Sequence, residues 1–117
     1  DRLVSRYFYS KKIDLKFQNV TFKEFVNFDI KNNMHVLNQY KFCTKDKVSF
    51  CIDNVIKFEN LNSDFNKISL SMFGKENLLK HSNKTEHGKY RSYYDTELKD
   101  KIYKNFKEDI NFFDYEF

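Results

Sequence analysis

The sequence predicts an α/β unit that is rich in helix and carries a single buried strand. Three observations point there. Hydrophobic residues make up 40% of the 117 positions and include 14 Phe and 8 Tyr, a composition that builds a core rather than a disordered chain. Apolar residues recur at helical spacing in four stretches. At one place only, around Val55, Ile56, Phe58 and Leu61, they form a compact β-prone run.

The elements follow in order. Residues 2 to about 16 form a first helix, with Leu3, Val4, Tyr7 and Phe8 on one side and Arg2, Ser5 and Arg6 between them. Thr21 and Glu24 have capping-box spacing, and Phe22, Phe25, Val26 and Ile30 give the stripe of a second helix over about 22–31. "NNMHVLNQYKFCTKDKVSF" has no sustained period and is expected to be a loop. Residues 54–59 are the strand. Asn62 or Ser63 then caps a helix over 62–73, with Phe65, Ile68, Leu70 and Met72 as its apolar positions and Gly74 as its stop. "KENLLKHSNKTEHGKYRS" reads as a polar loop. Leu98, Ile102, Tyr103, Phe106, Ile110 and Phe113 mark a long last helix over about 95–111. Pro is absent and Gly occurs twice, so turns fall to Asn, Asp and Ser, which hydrogen-bond locally.

Composition narrows the function. The net charge of +4 comes from 21 basic and 17 acidic residues scattered among each other, whereas a nucleic-acid face wants a denser basic stripe. The interleaved Tyr and Phe fall at core spacing rather than as a stacking platform. No apolar run reaches the roughly 20 residues of a membrane span. His35, Cys43, Cys51, His81 and His87 lack the paired spacing of a structural zinc site, so no metal is expected. Cys43 and Cys51 are too few for a disulfide framework and are expected to be thiols.

Four stretches resemble, in order, segments of the carbohydrate sulfotransferase family. "DRLVSRYF" resembles the second half of its R-x-P-x-x-R-L-x-S-x-Y/F signature, and "HVLNQYKFC" its H-W-x-P-Q-x-x-x-C segment. "VIKFENLNSDF" resembles K-F-E-x-L-x-x-D-F. The stretch from Asn83 to Phe117 resembles the closing block, with N-K-[ST], Y-x-x-Y-Y-D and D-x-x-x-F-x-Y-x-F.

The resemblance implies a P-loop-like domain around a parallel sheet and a transferase that moves a sulfuryl group from 3′-phosphoadenosine-5′-phosphosulfate (PAPS) to a carbohydrate hydroxyl. It puts Ser5 on the donor 3′-phosphate, where a hydroxyl on an early helix turn can donate to a phosphate oxygen. Arg2 becomes structural support, pairing the helix to the sheet. Lys84 and Thr85 fall in the N-K-[ST] match, in a polar segment that closes over the nucleotide, with Lys89 and Tyr90 beside them. His35 and Gln39 fall on the acceptor side, where an imidazole can take a proton from a sugar hydroxyl.

Val36 stands where the family has Trp, and Asn38 where it has Pro. Those departures keep open a non-catalytic, sulfotransferase-like domain that binds a glycan or a partner. A lone strand wants sheet partners, and the chain opens inside a helix. The expectation is therefore the C-terminal part of a sulfotransferase domain, without the 5′-phosphosulfate loop and the first Arg of the signature, and inactive by itself. Any membrane anchor would lie outside this segment. Relatives in eukaryotes are Golgi membrane proteins, and those in bacteria are cytoplasmic.

Overall fold

The computed structural model describes residues 2–32, 38–45, 49, 51–80 and 84–116. Among these residues five helices carry the architecture: α1 (Arg2–Ile13), α2 (Phe22–Asn32), α3 (Tyr40–Cys43), α4 (Leu61–Phe73) and α5 (Thr96–Phe112). Short 3₁₀ turns lie at Leu15–Phe17, Phe58–Asn60 and Tyr90–Tyr93.

Among the described residues there is no β-strand, which overturns the α/β reading and its parallel sheet. Residues 52–57 run without regular structure into the 3₁₀ turn at Phe58, and Val55 and Phe58 are exposed (44% and 71%). The β-prone side chains do leave the backbone extended, as at Lys57 (φ −75°, ψ 140°). A strand also needs a neighbour to accept its ladder, and no described segment pairs with this one. Among the described residues Arg2 therefore has no sheet to be tied to. Some pairing occurs across 43–51, where Cys51 N–H donates to the Cys43 carbonyl and Lys45 N–H to the Ser49 carbonyl, both at 3.0 Å. Both cysteines are thiols, with Cys51 Sγ donating to the same Cys43 carbonyl.

The core is helix packed on helix. Leu3, Val4 and Tyr7 of α1 meet Phe17, then Phe22, Phe25 and Val26 of α2 and Leu98 and Ile102 of α5. Phe25 and Val26 are fully buried, and burying such a side chain is worth about 1.5–3 kcal/mol. The aromatic rings meet edge to face, Tyr7 on Phe22 at 5.5 Å and Phe22 on Tyr94 at 5.1 Å, the arrangement that ring quadrupoles favour. Tyr7 Oη reaches out of this core to donate to the Val20 carbonyl at 2.8 Å.

Local chemistry sets the boundaries. Helix α1 ends at Ile13 rather than near 16 because Asp14 adopts an extended conformation and accepts from Lys16 N–H, opening a 3₁₀ turn. The capping box of α2 is present: Thr21 N–H donates to Glu24 Oε2 at 2.8 Å, and Glu24 N–H to Thr21 Oγ1 at 3.3 Å. Asp95 caps α5 through Leu98 N–H at 2.7 Å, and Lys23 bridges from α2 to Asp95 and Glu97. Helix α5 leaves helical geometry at Phe106 (φ −123°, ψ 23°) and resumes.

Helix α4 starts at Leu61, so Asn62 and Ser63 lie inside it. Ser63 Oγ donates back to the Asn60 carbonyl at 2.9 Å instead of capping. Gly74 does stop it, in the left-handed region at φ 66° that glycine enters without steric cost. Ser69 is its buried residue, while Leu70, Met72 and Phe73 are exposed.

Candidate functional site

Ser5 lies at the end of the first turn of α1, partly buried, on a helix whose Leu3, Val4 and Tyr7 are sunk in the core. That packing fixes its position. Its hydroxyl lies 3.0 Å from His87 Nε2, across 82 residues of sequence. His87 Nδ1 lies 2.8 Å from the Gly88 carbonyl. A carbonyl only accepts, so Nδ1 carries a proton, and in the neutral ring Nε2 offers its lone pair and Ser5 O–H donates to it.

The loop that delivers His87 is held by aromatic contacts. The imidazole stacks on Phe8 of α1 (5.6 Å, 23° between planes). Phe8 meets Tyr93 edge-on at 5.6 Å, and Tyr93 in turn meets Phe22 at 5.7 Å. Gly88 N–H donates to Tyr93 Oη at 3.2 Å. The 3₁₀ turn at Tyr90–Tyr93, in a stretch predicted to be loop, thus pins residues 87 and 88 against the core.

Lys84 and Thr85 precede His87 by three and two residues, Lys84 exposed and Thr85 partly buried. The structure therefore brings Ser5 to the segment holding the other two donor-side candidates. Lys89 is exposed, and its carbonyl accepts from Ser92 N–H and Oγ. Tyr90 packs against the core and accepts from Arg91 Nε at 3.1 Å, which leaves it a packing role. Beside Ser5, Arg6 has a buried Nε without a hydrogen-bond partner, and its guanidinium lies 5.5 Å from the Tyr9 ring. The group offers hydroxyls, an ammonium and a guanidinium, donors suited to a phosphate or sulfate oxygen.

The acceptor-side candidates lie elsewhere. His35 is outside the described residues. Gln39 is exposed, and its backbone N–H donates to Asp109 Oδ2 at 2.8 Å while Tyr40 N–H donates to Asp109 Oδ1 at 2.9 Å. Asp109 is buried on α5 (8% exposed) and anchors the head of α3. No contact joins Gln39 to Ser5 among the described residues. A groove of about 620 Å³ at the start of α4, lined by Phe58, Glu59, Asn60, Leu61, Leu79 and Lys80, includes none of the candidates.

Sequence reading missed His87 as a partner of Ser5 and Asp109 as an anchor. Asp109 left a trace: it continues the buried face of Leu98 and Ile102 at seven-residue spacing, where a carboxylate needs a partner. His87 left only its place two residues after the N-K-T match. Among the described residues no three His, Cys, Asp or Glu side chains cluster to hold a metal ion. No described helix is long and apolar enough to cross a membrane. A protein-family model described as "Sulfotransferase family" matches residues 1–116. No curated protein and no solved structure matches the chain.

Proposed function

Because the chain belongs to the sulfotransferase family, we propose that its protein transfers a sulfuryl group from PAPS to a carbohydrate hydroxyl, and that Ser5 with Lys84 and Thr85 binds the donor's 3′-phosphate. The single observation that carries this reading is the 3.0 Å hydrogen bond from Ser5 to His87. It joins the two segments, far apart in sequence, on which the family resemblance puts the nucleotide.

Sulfuryl transfer, like phosphoryl transfer, depends on positioning an anionic donor and stabilising charge as it moves to the leaving oxygen. Ser5 and Thr85 supply hydroxyl donors and Lys84 a mobile charge. Together they hold the nucleotide so that its sulfuryl group faces the acceptor. On the acceptor side His35 takes the proton of the attacking hydroxyl, and Gln39, at the head of α3, hydrogen-bonds the sugar. The chemistry needs no metal in this scheme.

The test is transfer of labelled sulfate from PAPS to a panel of polysaccharides by the full-length protein. A labelled glycan supports the reading, and labelling lost in Ser5→Ala and Lys84→Ala supports the assignment of residues. A second reading, a non-catalytic glycan- or partner-binding domain, is favoured by Val36 and Asn38 in the acceptor segment. Glycan binding without any transfer would establish that reading instead.

A further inference from the structure

While the His87 ring is neutral, the Ser5 hydroxyl is committed to it rather than to a phosphate. Its proton points at His87 Nε2, because the other ring nitrogen is committed as a donor to the Gly88 carbonyl. What Ser5 turns outward is oxygen lone pairs, which repel an anion. Two events could free the proton. The Ser5–His87 bond could break, leaving a partly buried imidazole nitrogen unpaired, or a second proton could arrive on Nε2. In the second case Nε2–H donates to Ser5 Oγ, the serine hydroxyl rotates outward, and the imidazolium adds a positive charge beside the anion. Imidazole is the side chain suited to this, since it ordinarily changes charge between about pH 5 and 8.

We propose that His87 is a positioning residue for the donor anion, and that the anion binds with uptake of one proton onto His87 Nε2. The proposal rests on the donor-site reading of Ser5 given above. The proton comes from solvent and ends on Nε2, and no bond between heavy atoms forms or breaks. The surroundings agree with such a role. Ser5 and Phe8 face the imidazole from α1, and Tyr93 stands behind Phe8. The Phe8 face is one on which an imidazolium gains by its charge. The charged side chains are Arg2, Arg6, Lys11 and Lys12 on α1, and Lys84, Glu86, Lys89 and Arg91 on the described stretch from 84 to 93. Glu86 favours the added proton and the cations oppose it, until a bound phosphate reverses the local balance.

The sign follows from linkage. A bound anion raises the affinity of His87 for its proton, so the extra binding is present at low pH and fades as pH rises. The phosphate's own second ionisation, near pH 6, runs the other way, and it is the same for every variant of the protein.

The experiment is calorimetric titration of adenosine 3′,5′-bisphosphate, the desulfated donor product, into the full-length protein. It is run at pH 6, 7 and 8 in buffers of different ionisation enthalpy, with His87→Gln and His87→Asn alongside. Wild type is expected to take up protons on binding, and its affinity is expected to fall roughly tenfold relative to both variants between pH 6 and pH 8. The Gln variant donates an amide N–H to Ser5 at any pH and is expected to bind without proton uptake. Binding by wild type with no proton uptake and the same pH profile as the variants would overturn the role of His87 while leaving the donor site in place. Absence of binding at every pH would overturn the donor-site reading and this inference with it.

Discussion

The Tyr40 backbone N–H donates to the buried Oδ1 of Asp109 at 2.9 Å, and through that bond the last helix holds the start of α3, beside Gln39. The other carboxylate oxygen takes Gln39 N–H, so one side chain satisfies two of the backbone donors that α3 leaves open at its start. Helix α5 therefore serves both sides of the molecule. Leu98 and Ile102 close the core beneath Ser5, and Asp109 fixes the head of α3.

Asp109→Ala should destabilise the protein by about 2–3 kcal/mol, since it strands two backbone donors that shared a charged acceptor. Asp109→Asn keeps one acceptor oxygen and should lose less. Urea unfolding of the two variants checks this. Equal stability of Asp109→Ala and wild type would show that the cap contributes nothing.

Acid should weaken the starts of α2 and α5. Thr21 N–H and its hydroxyl hold the Glu24 carboxyl below its ordinary 4.5, and Leu98 N–H with Lys23 holds Asp95 below 3.8. Both groups are depressed in the folded state. Their contribution is present above those ordinary values and is lost as pH falls through the lower folded ones. Stability measured from pH 5 to pH 3 should fall in wild type and fall less steeply in Glu24→Gln and Asp95→Asn. Parallel curves for all three proteins would rule out the caps as the source.

The helical core and the irregular 52–57 segment should respond differently to truncation. Phe25→Ala empties a fully buried site and should cost about 3–5 kcal/mol. Val55→Ala, in the segment that lacks strand pairing and is 44% exposed, should stay within about 0.5 kcal/mol. A loss of 2 kcal/mol or more at Val55 would restore a buried strand there.

What could be read from the sequence was local. Thr21 and Glu24 announce α2 because the capping box closes within four residues, and Phe22, Phe25, Val26 and Ile30 supply its face. Gly74 ends α4 as read, because a left-handed residue is a property of one position. The strand at 54–59 failed for the opposite reason. Val55 and Ile56 carry β propensity, but propensity cannot supply the neighbouring strand. The first helix likewise stops at Ile13 rather than near 16, because Asp14 turns the backbone there. Ser5 was singled out by resemblance, yet its partner His87 lies 82 residues away. The packing of Phe8, Tyr93 and Phe22 helps bring the two together.

The central claim is that Ser5 and the Lys84–Thr85 loop bind the donor nucleotide. Its most direct test is calorimetric titration of adenosine 3′,5′-bisphosphate at pH 7 into full-length wild type, Ser5→Ala and Lys84→Ala. Ser5→Ala should bind more weakly by about 1–2 kcal/mol, the scale of a lost charge-assisted hydrogen bond. Lys84→Ala should also weaken binding and should flatten its salt dependence, because the removed charge is exposed and screened. Affinities unchanged in both variants, with both folded as wild type by circular dichroism, would contradict the assignment.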